Sequence, residues 1–321
     1  MNKSRAVIIT LLLAGASLWF LTPAKLQPAL AEVAVPEDLD AWLAQSERQA
    51  ADRYGLVPGT EKRITWFGER QQTSYSVLYL HGFSATRQET APLAELVASQ
   101  LGANLFETRL TGHGRERDWL AGVRAEDWLR DAVEALTISA RLGERVIVIG
   151  TSTGATLAAA MIGHPLMDAV DALVMVSPNF APHDSGAAWL TRPAGPLLAR
   201  LLVGDTRSWQ PHNEQQALYW STTYPTASAV EMMRLVDLAN RQLPDGIPQR
   251  LLMFYSPEDT VISHSEALSV FERTGAPQKA AIEIKDPGDP SRHVLAGDVL
   301  SKQKTGPIAN NIVAFILHPA T

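Results

Sequence analysis

The chain of 321 residues contains no cysteine. This absence excludes disulfide bonds, metal sites built on thiolates and a cysteine nucleophile. It does not assign a compartment, because a chain of this length can bury a stable core without cross-links. Basic residues are also few, since 28 lysines and arginines stand against 34 aspartates and glutamates, for a net charge of −6. An acidic body argues against nucleic acid as a partner.

Charge is also absent from one stretch near the N-terminus. The first five residues include Lys3 and Arg5 and no acidic residue, and Ala6–Leu21 is an uncharged apolar run of 16 residues. Secretory signals usually have about 7–15 such residues and spanning helices about 20. Ala29-Leu30-Ala31 offers a signal-peptidase site, and Ala24 a poorer one. Residues 1–31 are therefore predicted to be a cleaved signal peptide or an uncleaved anchor through residues 6–22. Either way the body is exported to an extracytoplasmic location such as the periplasm, as a soluble protein or held in the inner membrane.

A G-x-S-x-G sequence, Gly150-Thr-Ser-Thr-Gly154, lies in the middle of the chain. The run Arg145–Ile149 before it is β-branched and apolar after its first residue, which predicts a buried strand of a parallel sheet. The small residues of Ala155–Ile162 predict a helix after it. A serine between strand and helix stands exposed at the helix N-terminus, and the N–H of Thr153 points to where an oxyanion forms. We therefore predict that Ser152 is a nucleophile and not an ordinary turn serine.

Strands and helices alternate along most of the chain. The other predicted strands are Ile64–Phe67, Ser76–Leu80, Asn104–Thr108, Ala172–Val176, Arg250–Tyr255 and Ala281–Lys285. The other predicted helices are Glu37–Tyr54, Leu93–Leu101, Ala125–Leu142, Ser265–Arg273 and Pro307–Leu317. This alternation predicts an α/β fold with a mostly parallel sheet flanked by helices.

Residues 178–248 interrupt the alternation. The segment opens with four prolines and continues with a helical, aromatic-rich pattern, in which Ala227–Leu243 is the clearest helix. We expect an inserted helical cap, or lid, that lies over the functional site; the alternative is additional scaffold. The predicted organisation is an N-terminal segment, a core in two parts at 32–177 and 249–321, and the cap between them.

A serine hydroxyl needs a general base near neutral pH, and the base needs an orienting carboxylate. Of the eight histidines, His293 is preferred because it lies in the loop after the last predicted strand. Asp259 is the preferred carboxylate because it follows the strand Arg250–Tyr255, at the edge where catalytic groups of open α/β sheets collect.

Other residues stay open for both roles. The remaining histidines considered for the base are His164, His183, His212, His264 and His318. Glu258 adjoins Asp259, but neighbouring loop residues point apart. Asp286 and Asp289 are predicted to be solvated turn residues.

Five short motifs, each at the end of a predicted strand, carry a resemblance to a known family. They are Leu80-His81-Gly82-Phe83, Thr111-Gly-His-Gly114, Gly150-Thr-Ser-Thr-Gly154, Ser256-Pro-Glu-Asp-Thr-Val261 and Ser291-Arg-His-Val294. Over roughly residues 60–321 the chain resembles the α/β-hydrolase superfamily. More narrowly, it is similar to the branch of monoacylglycerol lipases, lysophospholipases and bacterial carboxylesterases, sometimes grouped with serine aminopeptidases. The order Ser152, Asp259, His293 is the one expected of that superfamily, although Thr151 and Thr153 depart from the commonest residues of its nucleophile motif.

The resemblance implies an α/β-hydrolase fold and a serine ester hydrolase that uses no metal or organic cofactor. The backbone N–H of Phe83 would join that of Thr153 in the oxyanion hole. His113 would be structural, whereas His81 would pack the turn or orient it. The substrate would be a small-molecule or lipid ester, and the leucines and Trp189 of the cap would bind an acyl chain or pack the cap on the core.

Two other functions stay open. A peptidase of the proline-iminopeptidase type shares fold and triad, and would need Glu214 or Glu231 to bind a substrate amine. A catalytically silent binding protein of the envelope is the third reading. A haloalkane dehalogenase is excluded, because its nucleophile is a carboxylate and residue 152 is serine.

Overall fold

The structure is a computed structural model that describes residues 22–28, 31–116, 119–243 and 246–318. The nine strands in this part of the chain are β1 Arg63–Thr65, β2 Thr73–Leu80, β3 Asn104–Glu107, β4 Gly143–Thr151, β5 Val170–Val176, β6 Thr206–Ser208, β7 Thr223–Pro225, β8 Arg250–Tyr255 and β9 Lys279–Glu283. Seven of them form one sheet in the order β1-β3-β2-β4-β5-β8-β9. Neighbours pair in parallel except β1 with β3, which are antiparallel. The predicted α/β fold with a mostly parallel sheet is confirmed.

Helices cover both faces of this sheet. In the described part of the chain they are α1 Leu39–Tyr54, α2 Leu93–Leu101, α3 Ala125–Leu142, α4 Thr153–Ala160, α5 Gly195–Val203, α6 Glu214–Tyr219, α7 Thr226–Gln242, α8 His264–Arg273 and α9 Lys302–Leu317. Side chains of α1, α3, α4, α7 and α8 share one apolar core, and those of α2 and α9 share the core on the opposite face.

Strand β4 contributes side chains to the apolar cores on both faces of the sheet. Successive side chains of a strand point in opposite directions. Val146 and Val148 therefore pack into one core, and Ile147 and Ile149 into the other. The unbroken apolar run in the sequence is the signature of this double burial, and it holds the residue that follows β4 at a rigid sheet edge.

The segment between β5 and β8, for which we predicted a cap, contains α5, α6, α7 and a short 3₁₀ helix at Ser185–Thr191. It also contains the antiparallel pair β6 and β7, which the sequence pattern did not predict. The Ser221 N–H donates to the Ser84 carbonyl at 2.7 Å, and the ring of Tyr224 packs edge-on against Phe83 at 5.0 Å. The insertion therefore lies against the turn that follows β2.

The C-terminal helix departs from its prediction. We expected it to begin at Pro307, but α9 begins at Lys302 and includes that proline. Pro307 is the sixth residue of the helix, so its missing N–H removes one hydrogen bond of the first turns. The buried face formed by Ile308, Ala309 and Ile312 packs the helix into the core.

Residues 22–28 pack against the body. Leu26 is only 2% exposed and belongs to the core on the α7 side of the sheet. Two arginines of α7 hold the backbone of this segment. Arg234 donates to the Ala24 carbonyl at 2.9 Å, and Arg241 donates to the Leu26 carbonyl at 2.8 Å. Most of the predicted signal or anchor lies outside the described residues, and no helix in the described part of the chain has the length and apolarity to cross a membrane.

Candidate active site

Ser152 occupies a sharp turn between β4 and α4. Its backbone has φ +51° and ψ −117°, a conformation that side chains rarely adopt and that is typical of functional turns. The two flanking glycines make the turn possible. A Cβ at Gly154 would lie 2.0 Å from the Leu80 carbonyl oxygen, and one at Gly150 would lie 2.6 Å from the Ala155 nitrogen. Neither position therefore has room for a side chain.

Asp259 and His293 form a buried pair at the same sheet edge. His293 Nδ1 and Asp259 Oδ2 are 2.8 Å apart, and the two residues are 8% and 2% exposed. The other carboxylate oxygen accepts the N–H groups of Val261 at 2.8 Å and Ile262 at 2.9 Å, which fixes the carboxylate. Because Nδ1 faces a carboxylate, it carries the proton of the neutral ring and leaves Nε2 as the proton acceptor.

The surroundings of His293 favour its protonated form. Burial lowers the pKa of this imidazole, but the charge and hydrogen bond of Asp259 raise it, and the charges of Glu89 and Asp289 raise it further. The net result is a pKa above the usual value for histidine. These surroundings therefore stabilise the imidazolium form of His293.

Asp289 fixes the loop that carries His293, a role that the sequence did not reveal. Its Oδ2 accepts the N–H of His293 at 3.0 Å and that of Val294 at 2.8 Å. The residue is buried, so the prediction of a solvated turn residue is wrong for Asp289. The side chain of Asp286, for which we made the same prediction, is indeed exposed.

Backbone hydrogen bonds bring the Ser152 turn and the His293 loop to one edge of the sheet. The Ser152 N–H donates to the Val176 carbonyl at the end of β5, at 2.8 Å. The next residue, Ser177, donates through its hydroxyl to the His293 carbonyl at 2.7 Å. Neither Ser152 Oγ nor His293 Nε2 forms a hydrogen bond to another described residue. Such bonds are often loose in enzymes without substrate and tighten when it binds.

The backbone N–H groups of Phe83 and Thr153, predicted for the oxyanion hole, donate to no other described residue. Thr153 begins α4, so its N–H is one of the unpaired donors of a helix N-terminus. Phe83 lies in the turn after β2. Both N–H groups are therefore free to bind an anion.

Two buried histidines support the turn after β2. His113 Nε2 accepts the Ser84 N–H at 3.1 Å. His81 bonds through Nδ1 to the Gly82 carbonyl at 2.9 Å and accepts the Leu110 N–H through Nε2 at 3.0 Å. Burial lowers the pKa of His81 to about 4 and that of His113 well below the usual value. Both rings are therefore neutral, with Nε2 as an acceptor, and His81 orients the turn as well as packing it.

The alternatives considered for the base and for its carboxylate partner make other contacts. Glu258 is exposed and pairs with Arg292. His264 is the first residue of α8, where Ser263 supplies the cap. His212 contacts Ser291 at 3.3 Å on the exposed side of the cap. Of the described histidines, only His293 is hydrogen-bonded to a carboxylate.

Comparisons with known proteins agree with this fold. The sequence profile of the alpha/beta hydrolase family matches residues 77–297, which is more than half of the chain. No curated protein sequence matches significantly.

Solved structures match over most of their length. One, reported with the metagenome-derived lipolytic enzymes LipS and LipT, is 21% identical with a TM-score of 0.63, and the match covers 82% of this chain and 99% of that one. The monoacylglycerol lipase of Paleococcus ferrophilus is 14% identical with a TM-score of 0.58, over 79% and 98% of the two chains. A soluble variant of the monoglyceride lipase of Saccharomyces cerevisiae is 13% identical with a TM-score of 0.57, over 94% and 99%. On its fold and its family profile together, the chain belongs to the alpha/beta hydrolase family.

Proposed function

We propose that the protein is a serine hydrolase of carboxylic esters, with Ser152 as nucleophile, His293 as general base and Asp259 as the residue that orients the base. The observation that carries the proposal is the buried hydrogen bond between His293 Nδ1 and Asp259 Oδ2, 2.8 Å long, at the sheet edge where the strained Ser152 turn lies. A serine, an oriented imidazole and two unpaired N–H groups are the parts that acyl transfer requires.

The residues divide the reaction as follows. Ser152 Oγ attacks the ester carbonyl while His293 Nε2 takes its proton, and Asp259 stabilises the resulting imidazolium. The N–H groups of Phe83 and Thr153 bind the oxyanion, and each such donor contributes about 3 kcal/mol in related sites. The imidazolium then protonates the leaving alcohol, which leaves an acyl group on the serine. Water, deprotonated by the same histidine, releases the acid and restores the free enzyme.

The cap favours an ester with an apolar acyl group. Apolar side chains of the 3₁₀ helix and α5 are exposed, namely Trp189, Leu197, Leu198, Leu201, Leu202 and Val203. Leu201 and Leu202 are 72% and 84% exposed, so these two side chains do not pack the cap on the core. The solved structures compared above are those of a lipolytic enzyme, a monoacylglycerol lipase and a monoglyceride lipase. A small-molecule or lipid ester is therefore our proposed substrate class.

The peptidase alternative has less support. It needs a free carboxylate in the cap for a substrate amine, but Glu231 is hydrogen-bonded to Arg234 at 2.5 Å and to the Ala125 N–H at 3.0 Å. The other candidate, Glu214, lies exposed in the first turn of α6.

We also propose that the exported protein keeps its N-terminal segment, and that residues 6–22 associate with a membrane. Cleavage after Ala31 would remove Leu26 from the core and the two carbonyl groups that α7 binds. An uncleaved anchor avoids this loss. Of the two predictions for residues 1–31, the packing of residues 22–28 favours the anchor.

Fluorophosphonate labelling with peptide mapping tests the mechanism. The protein should lack residues 1–21 but keep residues 22–28. We expect label on Ser152, no label on Ser152→Ala, and normal label on Ser99→Ala, which removes an exposed serine hydroxyl. Absence of label from the folded parent would favour the silent binding protein.

Two further assays complete this test. His293→Ala should reduce kcat by several orders of magnitude, whereas His264→Ala should not; the reverse result would reject our choice of base. Acyl esters of increasing chain length should be hydrolysed faster than aminoacyl naphthylamides, and the opposite preference would support the peptidase.

A further inference from the structure

Glu89 is a buried carboxyl group to which the mechanism gives no role. It ends the 3₁₀ helix Arg87–Glu89 and is 2% exposed. Its Oε2 accepts the Gly82 N–H at 2.7 Å. Gly82 is the residue before Phe83, so this bond fixes the turn that presents the proposed oxyanion donor.

A second contact links Glu89 to the nucleophile turn. Its Oε2 also accepts the Tyr79 hydroxyl at 3.3 Å, and that hydroxyl lies 3.2 Å from Thr151 Oγ1. Thr151 precedes Ser152, and the side chains of this chain of contacts are buried. One carboxylate therefore contacts the oxyanion turn directly and the nucleophile turn through one tyrosine.

Two glycines pack closely against Glu89. A Cβ at Gly82 would lie 2.7 Å from Glu89 Oε1, and a Cβ at Gly297 would lie 2.6 Å from the Glu89 carbonyl oxygen. Gly297 belongs to the segment after His293. The 3₁₀ helix therefore lies between the oxyanion turn and the segment after His293.

The groups that act on Glu89 define its electrostatic role. Burial is the main cause that raises the pKa of this carboxyl, to about 7, and the charge of Asp289 also raises it. The Gly82 N–H, the charge of His293 and the Tyr79 hydroxyl each lower this pKa. No arginine or lysine is among these groups. His293 is therefore the cation that Glu89 stabilises.

We propose that Glu89 is a positioning residue, which holds the turn of Gly82 and Phe83 for oxyanion binding and stabilises the positive charge of His293 during the reaction. His81 holds the Gly82 carbonyl and Glu89 holds the Gly82 N–H, so both sides of this residue are fixed. The inference rests on the proposed ester hydrolysis, and it assigns a pH response to that site.

Two substitutions separate the hydrogen bond from the charge. Glu89→Gln keeps an acceptor for the Gly82 N–H but removes the charge. The base must be neutral to act, so kcat/KM rises with pH through the titration of His293. Loss of the nearby anion lowers the pKa of His293, and the acidic limb should move to lower pH by about half a unit or more. Glu89→Ala also removes the acceptor, and kcat should fall about 100-fold with a smaller change in KM.

Glu61→Gln is the matched control. The Glu61 carboxylate also accepts a backbone N–H, that of Gly59, at 2.9 Å, but it has no contact with the site residues. Its pH profile should equal that of the parent. If Glu89→Ala does not fold, the profile of Glu89→Gln still tests the proposal, because a merely structural glutamate would leave the acidic limb in place.

A titration of the His293 imidazole by NMR makes this test independent of turnover. The pKa of His293 should be lower in Glu89→Gln than in the parent and in Glu61→Gln. Equal values in all three proteins would overturn the role of Glu89. Failure of the proposed function has a different signature, since the parent would then hydrolyse no ester and take no fluorophosphonate label.

Discussion

Gly154→Ala tests whether the nucleophile turn is as tightly packed as the coordinates require. A Cβ at this position would lie 2.0 Å from the Leu80 carbonyl oxygen, 2.6 Å from the Leu80 carbonyl carbon and 2.8 Å from the His81 carbonyl oxygen. The optimal van der Waals separation of non-bonded heavy atoms of this kind is about 3.5 Å or more. All three atoms belong to the backbone, so no side-chain rotation relieves the clash, and α4 must move away from the end of β2 by about 1 Å or more.

The expected loss of stability follows from this displacement. Adding one carbon atom to a close-packed site costs about 1–3 kcal/mol, and contact with backbone on a central strand places Gly154→Ala at the upper end, near 3 kcal/mol. That is a large share of the roughly 5–15 kcal/mol by which domains are stable. Activity should fall further, since Ser152 moves with the helix and a misplacement of 1 Å can cost about 100-fold in rate.

Urea unfolding followed by circular dichroism measures the effect, with Gly306→Ala as the matched control. Gly306 lies in α9 with nothing within 4 Å of an added Cβ, and the same substitution there should stabilise the protein by about 0.5–1 kcal/mol. The two variants should therefore shift the midpoint in opposite directions. If Gly154→Ala unfolds at the midpoint of the parent and keeps its esterase activity, the packing argument for the turn is refuted.

Three further predictions concern the charges and the N-terminal segment. Asp259→Asn should reduce kcat about 10⁴-fold, because the amide favours the wrong imidazole tautomer; a loss below tenfold in ester assays would contradict that role. His81, with its lowered pKa, makes a contribution to stability that is present above pH 6.5 and lost as the pH falls through about 4. Glu89, with its raised pKa, makes a contribution to stability that is present below pH 4.5 and lost as the pH rises through about 7. At about 1.4 kcal/mol per pKa unit, each contribution amounts to about 3 kcal/mol. The variant Glu89→Gln should therefore gain stability relative to the parent as the pH rises from 4 to 8, as measured by urea unfolding at each pH. Parallel stability curves for the two proteins would contradict this. Leu26→Ala should cost about 2–5 kcal/mol, whereas Leu317→Ala at an exposed position should cost little, and equal midpoints would show that residues 22–28 do not pack on the body.

The fold was predictable because its main signals are local. Strand β4 is apolar on both faces, and α3 repeats its apolar residues at helical spacing. Each pattern therefore predicts its own element without knowledge of tertiary contacts. Predicted bounds for α3 and β8 equal the observed ones. The two short strands β6 and β7 were missed because a strand of three residues is too short to show a hydrophobic period. Their pairing depends on a partner 15 or more residues away.

The candidate triad could be proposed from position alone, because parallel strands deliver their following loops to one edge. Asp289 and Glu89 could not. Each lies in a polar stretch that is typical of a solvated turn, and neither has an apolar neighbour pattern that signals burial. Glu89 is buried where Gly297 lies against its carbonyl oxygen, a contact between residues about 200 positions apart, and Asp289 is buried where its loop folds back on the N–H groups of His293 and Val294.

In the proposed mechanism, the two missed carboxylates would help a buried site to hold a cationic imidazolium. His293 is surrounded by three acidic residues, Asp259, Glu89 and Asp289, whose charges all raise its pKa against the cost of burial. Only Asp259 bonds the ring, Asp289 is occupied by backbone N–H groups, and Glu89 bonds the oxyanion turn. In the proposed role, Glu89 holds this turn through the Gly82 N–H, and its charge also raises the pKa of the base.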